Sequence, residues 1–140
     1  MKIKKETFIE DFIQTAIAQG EASSVAGVEY SDEEHKTARK LGNKLGARLQ
    51  KMEDFLAEDP IFAKETLDKL VLNTNPYVMF GTAGMLWAFN YRMDDCFRLH
   101  EKVLENEKIK KTISFIAVRS FYKAIKEGRL ERRREYPKLD

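Results

Sequence analysis

Cysteine is almost missing. Cys96 is the only one, so no internal disulfide can form, and such usage fits a reducing compartment. Three prolines and seven glycines leave little material for the turns of a β fold. Histidine is as sparse: His35 and His100 are far apart. Cys96 and His100 stand four residues apart, but two ligands fall short of the four that a structural zinc site needs. The chain holds no glycine-rich phosphate loop, no nucleophile elbow and no HExxH motif. No apolar run approaches the ~20 residues of a membrane span, and the opening MKIKKETFIEDF has no signal-peptide core. The absences predict a cytoplasmic, non-enzymatic chain with no catalytic residue, cofactor or metal site.

What is present describes a helical domain. The 140 residues suit one domain. Hydrophobic residues make up 43% and charged residues 34%, a charge-rich balance typical of soluble helical proteins. Residues 129–140 carry five basic side chains (Arg129, Arg132, Arg133, Arg134, Lys138) and three acidic ones (Glu131, Glu135, Asp140). Five minus three leaves +2, the whole formal charge. The expected organisation is a helical domain over 1–128 and a basic, extended or frayed tail over 129–140, with Leu130 the residue best placed to pack back.

Capping signals divide the domain into about six helices. Thr7-x-x-Glu10 reads as a capping box, followed by Phe8, Ile9, Phe12, Ile13, Ala16 and Ile17 at helical spacing; that helix should run to about Ser23. After a loop over 24–30, Ser31-x-x-Glu34 is a second box. It opens a long helix, about Asp32 to Leu56, with Gly42 and Gly46 one turn apart on a flank another helix can enter. Asp59-Pro60 and Asn75-Pro76 each combine a cap with the residue pre-set for a first turn. Asp94 is the expected cap of a fifth helix. A sixth begins near Lys110 and ends at Gly128, a natural residue just past a helix C-terminus.

The stretch Pro76 to Tyr91, PYVMFGTAGMLWAFNY, is apolar on nearly every side and holds the only tryptophan, Trp87. Such a helix is normally buried among others, and Gly81 and Gly84 within it predict close approach by a neighbour. An offset of 34 pairs Phe62 with Cys96, Leu70 with Leu104, Met79 with Ile113, Ala83 with Ala117 and Trp87 with Phe121. Two helices per repeat of that length is the pattern of an α-solenoid. The acidic pairs (Glu10-Asp11, Asp32 to Glu34, Glu53-Asp54, Glu58-Asp59, Asp94-Asp95) mostly fall at helix starts, where carboxylates cap and complement the helix dipole. That assigns them to structure before catalysis.

FIQTAIAQGEA at 12–22, HKTARKLGNKL at 35–45, NPYVMFGTAGMLWAFNYR at 75–92 and SFIAVRSFYKAIKEGRL at 114–130 together resemble a small bacterial HEAT-like family of α-α superhelices. Most of its members are domains of unknown function. Where the family pattern has VR-x-x-A-A, this chain reads VMFGTAG, so no binding role carries over from that arginine. Some members resemble immunity proteins of contact-dependent growth inhibition and other polymorphic toxin systems. The resemblance thus implies an all-α, HEAT-like stack of antiparallel pairs, monomeric when free. Its expected role is to bind and neutralise a cognate toxin, foremost a nuclease domain, by occluding its active site; nucleic acid and membrane are not expected partners. The alternatives are a nucleic-acid binder using Arg129 to Arg134 with Arg119 and Lys126, or a general protein-interaction scaffold.

In such stacks the second helix of each pair lines the concave side. Here those are the helices starting at Pro76 and near Lys110. Their non-core positions Tyr77, Arg119 and Tyr122 are of types enriched at interface hot spots. Asp94 and Asp95, at the turn between them, add charge that steers association. The plainer reading is that Tyr77 staples a helix start and Tyr122 packs on the tail.

Overall fold

The computed structural model describes residues 2–25 and 32–139; the Ser31 cap and the loop residues 26–30 lie outside them. Among the described residues there are seven helices and no strand: α1 (Phe8–Val25), α2 (Asp32–Ala57), α3 (Pro60–Leu70), α4 (Pro76–Ala88), α5 (Met93–Glu105), α6 (Glu107–Lys110) and α7 (Ser114–Lys126).

Two of the expected caps form as read. Asp59 accepts a hydrogen bond from Phe62 N at 3.1 Å, and Asn75 Oδ1 accepts from Tyr77 N at 2.9 Å and Val78 N at 3.3 Å. Lys5 bonds the Asp59 carboxylate and, with Phe62 N, holds it below its ordinary pKa. At the end of α7, Gly128 takes φ +68°. Gly128 N reaches Ile125 O and Arg129 N reaches Ala124 O, the paired bonds of a Schellman stop.

Asp94 is not the cap of α5. That place belongs to Arg92, in the left-handed region at φ 49°, ψ 51°, while Asp94 and Asp95 sit in the first turn, where the dipole favours them. Asn90, also at φ 49°, closes α4, so the chain turns twice within three residues. A side chain in that region costs ~1–2 kcal/mol. Arg92 is held there by Asp68 at 2.9 Å and Asp95 at 2.8 Å.

The core runs through all the long helices. α1 lies along α2, and α4 lies along α5 far more than along α3. α4 is central as its composition requires, burying Val78, Met79, Thr82, Ala83, Met85, Leu86 and Ala88. Trp87 differs; it is only partly buried. At one end Phe8 stacks on Phe55 (centroids 5.8 Å) and meets Phe62 edge-on (5.8 Å).

The expected sixth helix is broken. Asn106 caps the short α6 by accepting from Ile109 N, and Thr112 Oγ1 donates back to Ile109 O at 2.8 Å. α7 then starts afresh at Ser114. It buries Val118, Tyr122, Ala124 and Ile125, leaving Ile113 43% and Ile116 54% exposed. Two of the offset-34 pairs differ in burial: Ala83 and Met79 are buried, but Ala117 and Ile113 are exposed, whereas Trp87 and Phe121 are both partly buried.

Among its described residues the tail forms no helix or strand, yet it is packed: Tyr136 N reaches Arg133 O in a turn. Leu139 is buried and its N–H donates to Phe89 O at 3.2 Å. Tyr136 stacks on Phe89 at 5.2 Å. Arg132 Nε donates to Trp87 O and its guanidinium lies 5.2 Å from the indole centre. Leu130, the residue expected to pack back, is 41% exposed.

Candidate functional site

α4 leaves one side open, and that side forms the floor of an apolar trough. At the tail end is a hollow of about 400 Å3. Phe80, Gly81, Gly84 and Trp87 of α4 floor it; Phe12 of α1 and Gly46, Leu49 and Glu53 of α2 form one wall. Phe121 of α7 faces them, and Glu131 and Arg133 of the tail stand at the rim. Past Phe80 a second hollow of about 310 Å3 continues between Ala16, Gly20 and Ser23 of α1 and Ile113 at the start of α7 with Ala117 and Val118 within it.

The glycines explain the shape, in part against expectation. A Cβ on Gly81 would stand 3.0 Å from Phe12 Cζ, the close approach the sequence predicts. Cβ atoms on Gly84 and Gly46 would meet nothing within 4 Å, so these two make space. Gly20 is the tightest: its Cβ would lie 2.1 Å from the Tyr77 ring.

Polar groups gather at the tail end. Gln50 Nε2 donates to Tyr136 Oη at 2.9 Å, and Tyr136 in turn donates to Asp54. Arg133 stands 3.7 Å from the same Asp54 carboxylate. Burial pushes the Glu53 carboxyl above its ordinary value, against the opposing pull of Tyr136 and Arg133. Burial and Asp54 likewise push the Tyr136 hydroxyl up.

Cys96 and His100 lie deeper, behind Phe80. His100 Nδ1–H donates to Cys96 O at 2.8 Å, and the ring stacks on Tyr122 (5.1 Å, 9°) with Phe121 at 5.6 Å. Burial drives the Cys96 thiol up to about 12. A thiol so shifted is a poor nucleophile, and its S–H donates to Ala83 O. Burial lowers the His100 pKa from 6.5, so the folded protein keeps it neutral while the unfolded chain takes up a proton. Its contribution to stability is present above about pH 6.5 and is lost as pH falls. Glu53, raised from 4.5, acts with the opposite sign. The measurement is therefore a difference: between pH 7.5 and 5, the wild type should lose more stability than His100→Phe. Parallel profiles would show that His100 titrates normally.

The five residues chosen from sequence do not form one patch. Tyr77 is partly buried against Gly20, its hydroxyl 2.9 Å from Ser24 Oγ. Tyr122 is buried, donating to Glu101 at 2.6 Å beneath the Lys126 ammonium, and burial with Glu101 drives it up to about 12. Asp95 is held by Arg92 and Arg98; burial pushes its pKa up, but the two arginines outweigh this and keep it low. Asp94 is exposed, as is Arg119, which lies over Phe115.

The chain matches no family model, no curated protein and no solved structure. Its site is therefore read from geometry. Among the described residues no group of three or more metal-ligating side chains occurs, and no helix is long and apolar enough to cross a membrane. Sequence reasoning missed Phe12, Gly46, Gly84, Glu53 and Arg133 as neighbours. The available signal was a pair of glycines inside otherwise strong helices; whether a glycine admits a neighbour or leaves a hollow is set by the partner helix.

Proposed function

We propose that this chain is a non-catalytic binding protein, an immunity protein that holds a cognate toxin domain and blocks its active site. The observation that carries this reading is the solvent face of α7. Ile113, Ile116 and Ala117 form one exposed stripe at the lip of the trough, on a helix that already buries its other side. A helix apolar on two faces is suited to a second layer, and an exposed apolar patch with a polar rim marks interaction sites. The rim here is Lys110, Lys111, Arg119 and Lys123, all exposed. The toxin surface it meets is accordingly acidic around an apolar centre, close enough to the active site to cover it. We read α1–α2 and α4–α5 as antiparallel pairs stacked in the HEAT-like manner, with α7 on the open side. The resemblance of its sequence segments to the HEAT-like family, some members of which resemble immunity proteins, is what points to a toxin as partner. The tail arginines favour the nucleic-acid alternative less, because Arg132, Arg133 and Arg129 are engaged by Trp87, Asp54 and Glu127.

The test is co-expression with the toxin domain encoded beside this gene, plus a binding measurement on folded variants. Ile116→Asp should weaken binding by about tenfold or more, the scale of a hot-spot loss, and Arg119→Glu should do so in a salt-dependent way. Tyr122→Ala is unsuitable, because it empties a buried site. Full protection by Ile116→Asp sinks the α7 assignment; loss with Asp94→Ala alone would move the interface to the start of α5.

A further inference from the structure

We infer that the hollow at the tail end of the trough binds a small apolar amine in its protonated form, its ammonium between the aromatic rings and Glu53. This site is distinct from the α7 stripe, and the inference stands whether or not a toxin docks there. The volume of about 400 Å3 falls within the ~300–1,000 Å3 of small-molecule sites, which combine apolar walls with a few convergent polar groups.

The room is built in, because neither Gly84 nor Gly46 has an atom within 4 Å of where a Cβ would stand. The walls are aromatic and mutually braced. Trp87 and Phe121 meet edge-on at 5.7 Å, and Phe80 and Phe121 at 6.1 Å. Ring faces attract cations, and Trp87 already holds the Arg132 guanidinium at 5.2 Å.

Charge decides the class of ligand. Two carboxylates, Glu53 and Glu131, border the hollow with Arg133, which is within 4 Å of Asp54, and Arg132 lies over Trp87, so three acids stand against two arginines. Among the described residues Glu53 has no ion pair within 4 Å, so its partners are the Tyr136 hydroxyl and the more distant charge of Arg133. Its carboxyl is pushed up by burial, the state of an acid that a bound cation would relieve. The competing outcome is an organic acid on Arg133, which would have to displace Asp54.

The experiment titrates the protein, followed by amide and indole NMR signals, with three probes of one shape: 2-phenylethylamine, 2-phenylethanol and 3-phenylpropionate. The amine should shift the Gly46 and Gly84 amides and the Trp87 indole, and bind about fivefold tighter than the alcohol, the scale of a cation–π contact with a carboxylate nearby. Glu53→Gln should bring the amine down to the level of the alcohol and leave the alcohol unchanged. Gly84→Leu, which fills the hollow without a clash at its Cβ, should abolish binding of all three with circular dichroism unchanged. Tighter binding of 3-phenylpropionate, parity of amine and alcohol, or no shift at these positions at millimolar probe overturns the inference.

Discussion

Phe8→Ala should lower the unfolding free energy by ~3–5 kcal/mol, the cost of emptying a fully buried aromatic site. Phe8 has no exposed surface and joins three elements through its ring: Phe12 on α1, Phe55 on α2 and Phe62 on α3. Phe55 and Phe62 also meet edge-on at 6.2 Å, so the two surviving rings brace each other and the cavity cannot collapse cheaply. A domain of this size is stable by only ~5–15 kcal/mol, so the variant should sit near the edge of folding. Urea denaturation checks it. A loss below about 1 kcal/mol would mean that the aromatic cluster is not the joint between α1, α2 and α3.

Leu139→Ala should cost roughly 2–3 kcal/mol, the lower part of the range for a buried leucine, because a segment outside any helix adjusts more easily than a helix. The result matters more than its size. Leu139 belongs to no helix, yet it is 2% exposed and bonded to Phe89 O. Tyr136→Phe provides the companion, since it keeps the stack on Phe89 while removing the hydroxyl that joins Gln50 and Asp54. Thermal unfolding of both variants measures the tail's contribution. If Leu139→Ala is neutral, the tail does not close the end of α4.

Local chemistry was legible in the chain to within a residue or two. Asp59 and Asn75 cap because a short side-chain oxygen meets amides two and three residues on, which needs no distant partner. The Gly128 stop follows likewise, from the absence of a Cβ at positive φ. The α5 start was misread for a reason of the same kind turned around: Arg92 adopts a conformation it does not prefer because Asp68, on α3, holds its guanidinium. A contact across 24 residues leaves no trace in local spacing.

The face each helix buries divides along the same line. α4 is apolar all round, so any packing buries most of it, and its central place follows from composition. α7 is apolar on more than one face, as Ile113 and Ile116 on one side and Val118, Tyr122 and Ile125 on the other show, and periodicity cannot choose between them. Which face is buried is set by the helices α7 packs against, chiefly α5. The hollow beside Trp87 is decided later still. It exists because Gly46 and Gly84, from helices 38 positions apart in the chain, lie on the same opening and neither is filled by the other side. Helix identity is a matter of bonds within a few residues; a cavity is what several helices fail to fill together, and only their packing decides it.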